Sequence, residues 1–310
     1  MLNQVHEKFD VVIAGGGIAG LSTALWCDEL KLSALLLEGS DALGGQLLRV
    51  FNEIKNYPGR EARNGRELCD AFLAQIGKRN FELRLRSPVG RLDAAAKTVV
   101  LADGTGFAGR AVVIATGVRR RRLGVPGENE FRGRGILESG QNEAASVAGR
   151  NVVVAGGGDA AFENALILAA TAARVTLVHR RREFRARPEF VDAVRAHPKI
   201  EILAETVVRR FSGSGRLESV ELYDSRAGEI SVRPVEAALI RIGVAPNTEI
   251  LRGVVALDEA GYVAVDRDCA TSVAGIFAVG DVANPHAPTV SGAVGMGATA
   301  AKVIFALLNP

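Results

Sequence analysis

Two stretches of the chain repeat one order of apolar run, glycine cluster and amphipathic segment. In the first, FDVVIA (Phe9–Ala14) is an unbroken apolar run of strand length, and GGGIAG follows at once. LSTALWCDELK then has the spacing of an amphipathic helix, and SALLLE closes a second apolar run at Glu38. In the second, NVVVA (Asn151–Ala155) leads into GGGDAA, FENALILAATA reads as a helix, and RVTLVH ends at His179. Each stretch predicts a β-α-β unit. The interval from the first motif glycine to the strand-end residue is 23 residues in both, Gly15 to Glu38 and Gly156 to His179, so the chain contains one architecture twice.

The pattern that follows is also duplicated. KTVVLADGTGFAGRAVVIATG (Lys97–Gly117) predicts a hairpin with an Asp-Gly turn and then a strand running into ATG, and LESVELYDSRAGEISVRPVEAALIRIG (Leu217–Gly243) repeats this with a longer turn. VAGIFAVGDV (Val273–Val282) predicts one more strand ending in Gly-Asp, and SGAVGMGATAAKVIFALL a closing helix rich in small residues. The tail is expected to return to the first domain. The domains are then 1–117 with 245–310, and 118–244, with hinges at the two crossings.

Composition changes this picture little. At 310 residues, 48% hydrophobic and 24% charged, two domains are expected. A net charge of +3 gives no bulk case for a nucleic-acid or membrane partner. The N-terminal apolar run leads straight into a glycine loop, not a cleavage site, and no uninterrupted apolar stretch reads as long enough to cross a bilayer, so the expected compartment is cytoplasmic. Cys27, Cys69 and Cys269 lack Cys-x-x-Cys or metal-ligand spacing and read as buried, inert thiols. By pattern Cys27 falls on the first helix of the first unit, Cys69 on a surface helix and Cys269 in a loop.

The glycine clusters carry the chemistry. Gly15, Gly17 and Gly20 fit a G-x-G-x-x-G turn between strand and helix: one glycine for the turn, one for close approach to a pyrophosphate, one for helix–strand packing. Glu38 stands where a carboxylate accepts hydrogen bonds from ribose hydroxyls. The second copy reads Gly156, Gly158, Asp159, Ala160 and Ala161, and its strand ends in His179 followed by Arg180, Arg181 and Arg185. Guanidinium groups there grip a ribose 2′-phosphate that an acid would repel, which predicts NADPH over NADH. Arg119–Arg122 reads as a solvated or hinge run. One adenine dinucleotide site with an acid and one for NADP imply a flavin dehydrogenase arrangement.

GGGIAG, GGQL (Gly44–Leu47), NYPG (Asn56–Gly59), ATG with LGVPGE (Leu123–Glu128), GGGDAA, HRRREFRA, IGVAPNT (Ile242–Thr248) and TSVAGIFAVGDV occur in the order found in the low-molecular-weight thioredoxin reductase family, which the whole chain resembles. The resemblance implies an α/β fold of two Rossmann-like three-layer domains, for FAD and NADPH, each with an inserted β-layer. It also implies a homodimer, and FAD contacts from Gly45, Gln46, Asn56, Thr116, Gly117, Gly280 and Asp281.

Two departures shape the expected function. A gap-free placement of the motifs puts the family's redox cysteines at Ser139 and Asn142, which cannot form a disulfide. Beyond GDV, an Arg-Gln-Ala of the family is replaced by Pro288-Thr289-Val290, preceded by His286. Ser139, Asn142 and His286 are the candidates for contacting flavin or substrate. The expected protein is an FAD-dependent NADPH oxidoreductase whose acceptor stays open among ferredoxin, flavodoxin, a quinone, a small disulfide and dioxygen. A flavin oxidase of a small organic substrate and a non-catalytic FAD-binding redox sensor are the alternatives.

Overall fold

A computed structural model describes residues 5–309; the first four residues of the N-terminal stretch considered above lie outside it. The chain divides into two units: residues up to Arg119 together with those from Ala245 onward, and Arg120–Val244.

In the first unit, β1 (Val5–Ala14) lies between β2 (Ala34–Leu37) and β6 (Gly106–Ile114), parallel to both. The sheet order is β3 (Glu82–Arg84), β2, β1, β6, β5 (Thr98–Leu101), β4 (Val89–Asp93), and β17 (Ile276–Ala278) pairs with the far end of β6. The tail thus completes the first sheet. β1 starts earlier than its apolar run because Val5–Phe9 continues the ladder along Gly106–Gly109, with a register break between His6 and Lys8. Continuous Val/Ile/Leu runs suit strands covered on both faces, and both faces are covered. Val11 and Ile13 pack with α1 (Ile18–Glu29), α2 (Gly65–Ile76) and α6 (Val290–Leu308), while Val12 packs with Val112, Leu251 and Val263.

One sequence expectation needs correction here. Contrary to the sequence reading, α6 has the length and composition to cross a bilayer. Its apolarity comes mainly from Val, Ile, Leu, Phe and Met side chains, while its Gly and Ala let it lie close on α1: a Cβ on Gly297 would stand 2.6 Å from the Ala19 carbonyl oxygen. α2, which bears Cys69, has one exposed face and turns that cysteine to the other, as expected of a buried thiol. Cys69 is fully buried, with its Sγ facing the Leu43 carbonyl at 3.6 Å.

In the second unit, β9 (Asn151–Gly156) lies between β10 (Arg174–Val178) and β15 (Ala237–Arg241) in the parallel order β11 (Ile200–Leu203), β10, β9, β15, β8 (Ile136–Leu137). α4 (Asp159–Ala169) and α5 (Pro188–Ala196) cover one face. An antiparallel meander, β12 (Thr206–Ser212), β13 (Ser219–Asp224) and β14 (Glu229–Pro234), covers the other through Val208, Phe211, Val220 and Leu222. This meander is a separate sheet. In the first unit the antiparallel strands instead join the parallel sheet through the long β6, whose near end pairs with β5. The short α3 (Gly140–Glu143) precedes β9. The crossings, β7 (Val118–Arg120) and β16 (Val244–Pro246), pair with each other.

Candidate functional site

In both units the glycine loop follows the strand at which the sheet order reverses, where dinucleotides bind in open α/β sheets. In the first, Gly15 has φ +117°, and a Cβ there would overlap the Ala115 carbonyl. A Cβ on Gly20 would overlap the Gly15 carbonyl oxygen, so neither position admits a side chain. Gly17 differs: its nearest neighbour is Gly45 Cα at 4.0 Å, and it heads α1 without any side-chain cap. The first-turn N–H groups of α1 are therefore offered outward, which is what a pyrophosphate requires.

Glu38 organises this cradle. Its Oε2 accepts the Gly16 N–H at 2.7 Å, and its Oε1 accepts the Ser40 N–H and hydroxyl, both at 2.8 Å. The carboxylate is thus held at the mouth of the loop with lone pairs left for hydroxyl donors. The Gly44–Gly45 turn joins it, with Gly44 N–H donating to Gly16 O at 2.9 Å. Gln46 Nε2 donates to Val118 O at 2.7 Å. The Thr116 hydroxyl donates to Asn247 O at 2.9 Å, and Asn247 Nδ2 returns a bond to Thr116 O at 2.7 Å. Thr116 therefore acts as a lock between two loops, and Asn247, in the quoted IGVAPNT, is the partner that motif matching did not single out. Gly117, also at positive φ, follows in open space.

Gly280 packs against Ala19 of α1. Asp281 beside it is half-buried, has no hydrogen-bond partner among the described residues, and burial raises its pKa above the usual carboxylate range. An uncommitted, partly desolvated carboxylate calls for an external donor. Asn56 and His286 are both exposed, and no contact among the described residues ties either to the cradle.

The second copy has a different electrostatic character. Gly158 heads α4 in open space, again without a side-chain cap. Ala161 is fully buried, its methyl 2.7 Å from where a Gly156 Cβ would lie, so it packs helix on strand and does not face a ligand. The His179 ring covers Gly157 so closely that no Cβ fits. Burial, aided by Arg180, Arg181 and Arg185, lowers the His179 pKa, and Nε2 lies 3.1 Å from Glu183 O. Asp159 accepts from Arg187 N at 2.7 Å and from Arg187 Nε at 2.8 Å, and Arg185 N–H donates to Gly157 O at 2.7 Å. The arginine loop is thereby pinned to the glycine loop.

A cleft of about 880 Å³ opens over Gly156–Ala160 and His179–Arg181. Arg180, Arg181 and Arg185 line it, exposed and with no carboxylate partner among the described residues. Leu123, Val178, Val208 and Ile242 supply apolar wall. The Arg119–Arg122 run is more than a solvated hinge. Arg119 pairs with Glu249 and donates to Asn247 Oδ1 at 2.8 Å, whereas Arg121 and Arg122 line the cleft. Arg241 lines it too. These three come from strand ends and a crossing, without a motif to announce them.

Ser139 and Asn142 have local work. Ser139 is buried at the N-cap of α3, where its Oγ accepts the Asn142 N–H at 3.2 Å. The Glu143 Oε2 accepts the N–H groups of Glu138 and Ser139, each at 2.8 Å, a reciprocal cap. Asn142 is exposed. All three cysteines are free and buried. Burial pushes Cys27 up to about 12 and Cys269 to about 11, and raises Cys69 as well.

Two uncapped helix N-termini behind glycine turns, one beside a carboxylate and one beside free arginines, define a protein made of two dinucleotide-binding units. The chain belongs to the pyridine nucleotide-disulphide oxidoreductase family, whose pattern matches residues 9–297. It is 39% identical over 276 residues to a thioredoxin reductase of Mycolicibacterium smegmatis, covering 88% of each chain, and 34% identical to that of Treponema pallidum, covering 98% of this chain and 99% of the other. Among solved structures, Lactococcus lactis thioredoxin reductase superposes with a TM-score of 0.85 at 31% identity, covering 97% and 99% of the two chains. A bacillithiol disulfide reductase of Bacillus cereus shares the fold at 19% identity and a TM-score of 0.80, covering 97% of this chain and 100% of the other. Members of the family bind FAD and a pyridine nucleotide, NADPH in the thioredoxin reductases. The open cradle at Gly17 and the unpartnered Asp281 fit the first, and the arginine-lined cleft fits the second.

Proposed function

We propose that this protein is an FAD-dependent NADPH oxidoreductase that delivers reducing equivalents to an acceptor other than thioredoxin, without a protein disulfide. The observation that carries the reading is the state of its sulfur and of its replacements. Thiol–disulfide exchange requires an accessible thiolate. Here Ser139 is a helix cap, Asn142 an exposed amide, and every thiol is buried with its pKa raised.

In this reading the first unit holds FAD. The α1 N-terminus takes the pyrophosphate, Glu38 the adenosine ribose, and Asp281 a hydroxyl of the flavin side. The second unit holds NADPH, with the α4 N-terminus on the pyrophosphate and Arg180, Arg181 and Arg185 around the 2′-phosphate. Bound FAD supplies the capacity to take hydride from nicotinamide and release electrons onward. The chain's own contribution is to hold and orient both dinucleotides. The unpaired guanidinium groups favour this over the oxidase reading, which gives them no ligand. The proposed assembly is a homodimer and the proposed compartment the cytoplasm.

The test is anaerobic reduction by NADPH, followed by stopped-flow reoxidation with thioredoxin, ferredoxin, flavodoxin, quinones, low-molecular-weight disulfides and dioxygen. Fast bleaching of the flavin by NADPH and no turnover with thioredoxin are expected. Thioredoxin turnover at the rate of the best acceptor overturns the proposal.

A further inference from the structure

Arg241 ends β15 and is in ladder register with Gly156, the first glycine of the second cradle. β10, which leads into the loop bearing Arg180, Arg181 and Arg185, lies on the opposite side of β9. A dinucleotide whose adenosine 2′-phosphate rests on that loop has to cross the Gly156–Gly158 turn at its pyrophosphate and continue on the β15 side. Arg241 lines the cleft there.

Its guanidinium is fixed and under-neutralised. Nη1 donates to Ile240 O and Nη2 to Glu138 O, both at 2.9 Å. Arg120 donates to the same Glu138 carbonyl, so two cations converge on one oxygen. The Glu138 carboxylate is engaged by Arg120 at 3.7 Å and Arg132 at 3.8 Å, and no carboxylate among the described residues lies within 4.0 Å of Arg241. Burial first, then Arg120, pushes the Arg241 pKa down to about 10, against smaller opposing effects of Glu138 and Glu143. It is still charged at neutral pH. Arg121, which also lines the cleft, is tied down through its N–H to Gly243 O at 2.9 Å and its Nε to Val244 O at 2.8 Å, which leaves its terminal nitrogens uncommitted.

We propose that Arg241 is the counter-charge for the nicotinamide-side phosphate of the bound dinucleotide, a contact indifferent to the 2′-phosphate. The cleft then has two cationic poles: Arg180, Arg181 and Arg185 discriminate NADP from NAD, and Arg241 holds the nicotinamide-side phosphate of either. This rests on the second unit being the NADPH site.

Isothermal titration of the full-length, FAD-containing protein with NADP⁺, NAD⁺ and 2′,5′-ADP tests it, because 2′,5′-ADP carries the 2′-phosphate but no nicotinamide half. Arg241→Met is expected to weaken NADP⁺ and NAD⁺ by the same factor, about tenfold or more as for a lost charge-assisted contact, and to leave 2′,5′-ADP unchanged. Arg241→Lys should fall between. Arg180→Ala with Arg181→Ala should show the reverse pattern, weakening NADP⁺ and 2′,5′-ADP but not NAD⁺. Unchanged NADP⁺ binding by Arg241→Met, or an equal loss of 2′,5′-ADP, overturns the role of Arg241. Failure of the double arginine variant alone removes the 2′-phosphate assignment and leaves the Arg241 contact standing.

Discussion

The two β-α-β units share a spacing but solve the same packing problem with different atoms. In both, the residue that ends the second strand presses on the middle glycine of the loop: Glu38 on Gly16 through a hydrogen bond, His179 on Gly157 through its ring. The first leaves a carboxylate at the loop mouth and the second a ring held toward neutrality among unpaired arginines. The third motif position differs too. Gly20 admits no methyl because the Gly15 carbonyl occupies the space, whereas the Ala161 methyl is itself part of the buried contact with Gly156. One spacing therefore yields two ligand preferences, set by the strand-end residue and the loop after it.

The sharpest way to break the comparison is to exchange the third positions. Gly20→Ala forces a methyl into the Gly15 carbonyl and should cost about 3 kcal/mol or more, read as loss of bound FAD by absorbance and early unfolding in urea. Ala161→Gly should cost only about 1–2 kcal/mol, from helix propensity and a lost buried methyl; equal costs would erase the asymmetry. Next, Arg180→Ala with Arg181→Ala should raise KM for NADPH about 10- to 100-fold, with little change for NADH. Glu38→Gln exchanges the acceptor of the Gly16 N–H for a weaker one and should raise the FAD dissociation constant about tenfold, with NADP⁺ binding untouched.

The smallest effect concerns Asp281. Burial raises its pKa, so its ionisation opposes the apoprotein fold as pH climbs above the ordinary carboxylate value of 3.8. Asp281→Asn should therefore raise the melting temperature of the apoprotein at pH 7.5 by a degree or two, a small linkage effect. The difference should vanish in the acid range, and FAD should be retained less well.

The repeated unit was readable because unbroken apolar runs such as NVVVA and SALLLE mark strands buried on both faces, and the return of the tail because IFA is one more such run. The Ser139 cap also had a signal, a glutamate four residues on, which motif matching passed over. Arg121, Arg122 and Arg241 had none. They reach the cleft from a crossing and from the end of β15, and only the folded order of strands brings those ends beside Gly156. The burial of Cys69 was expected, but what covers it was not legible, since the cover is the Leu43–Gly44 turn from a different part of the chain.

The sequestration of all three native thiols makes the wild-type chain a silent background for maleimide chemistry. A single cysteine introduced at an exposed site such as Asn142 would take up a fluorophore or spin label alone, with no need to strip the natural residues first.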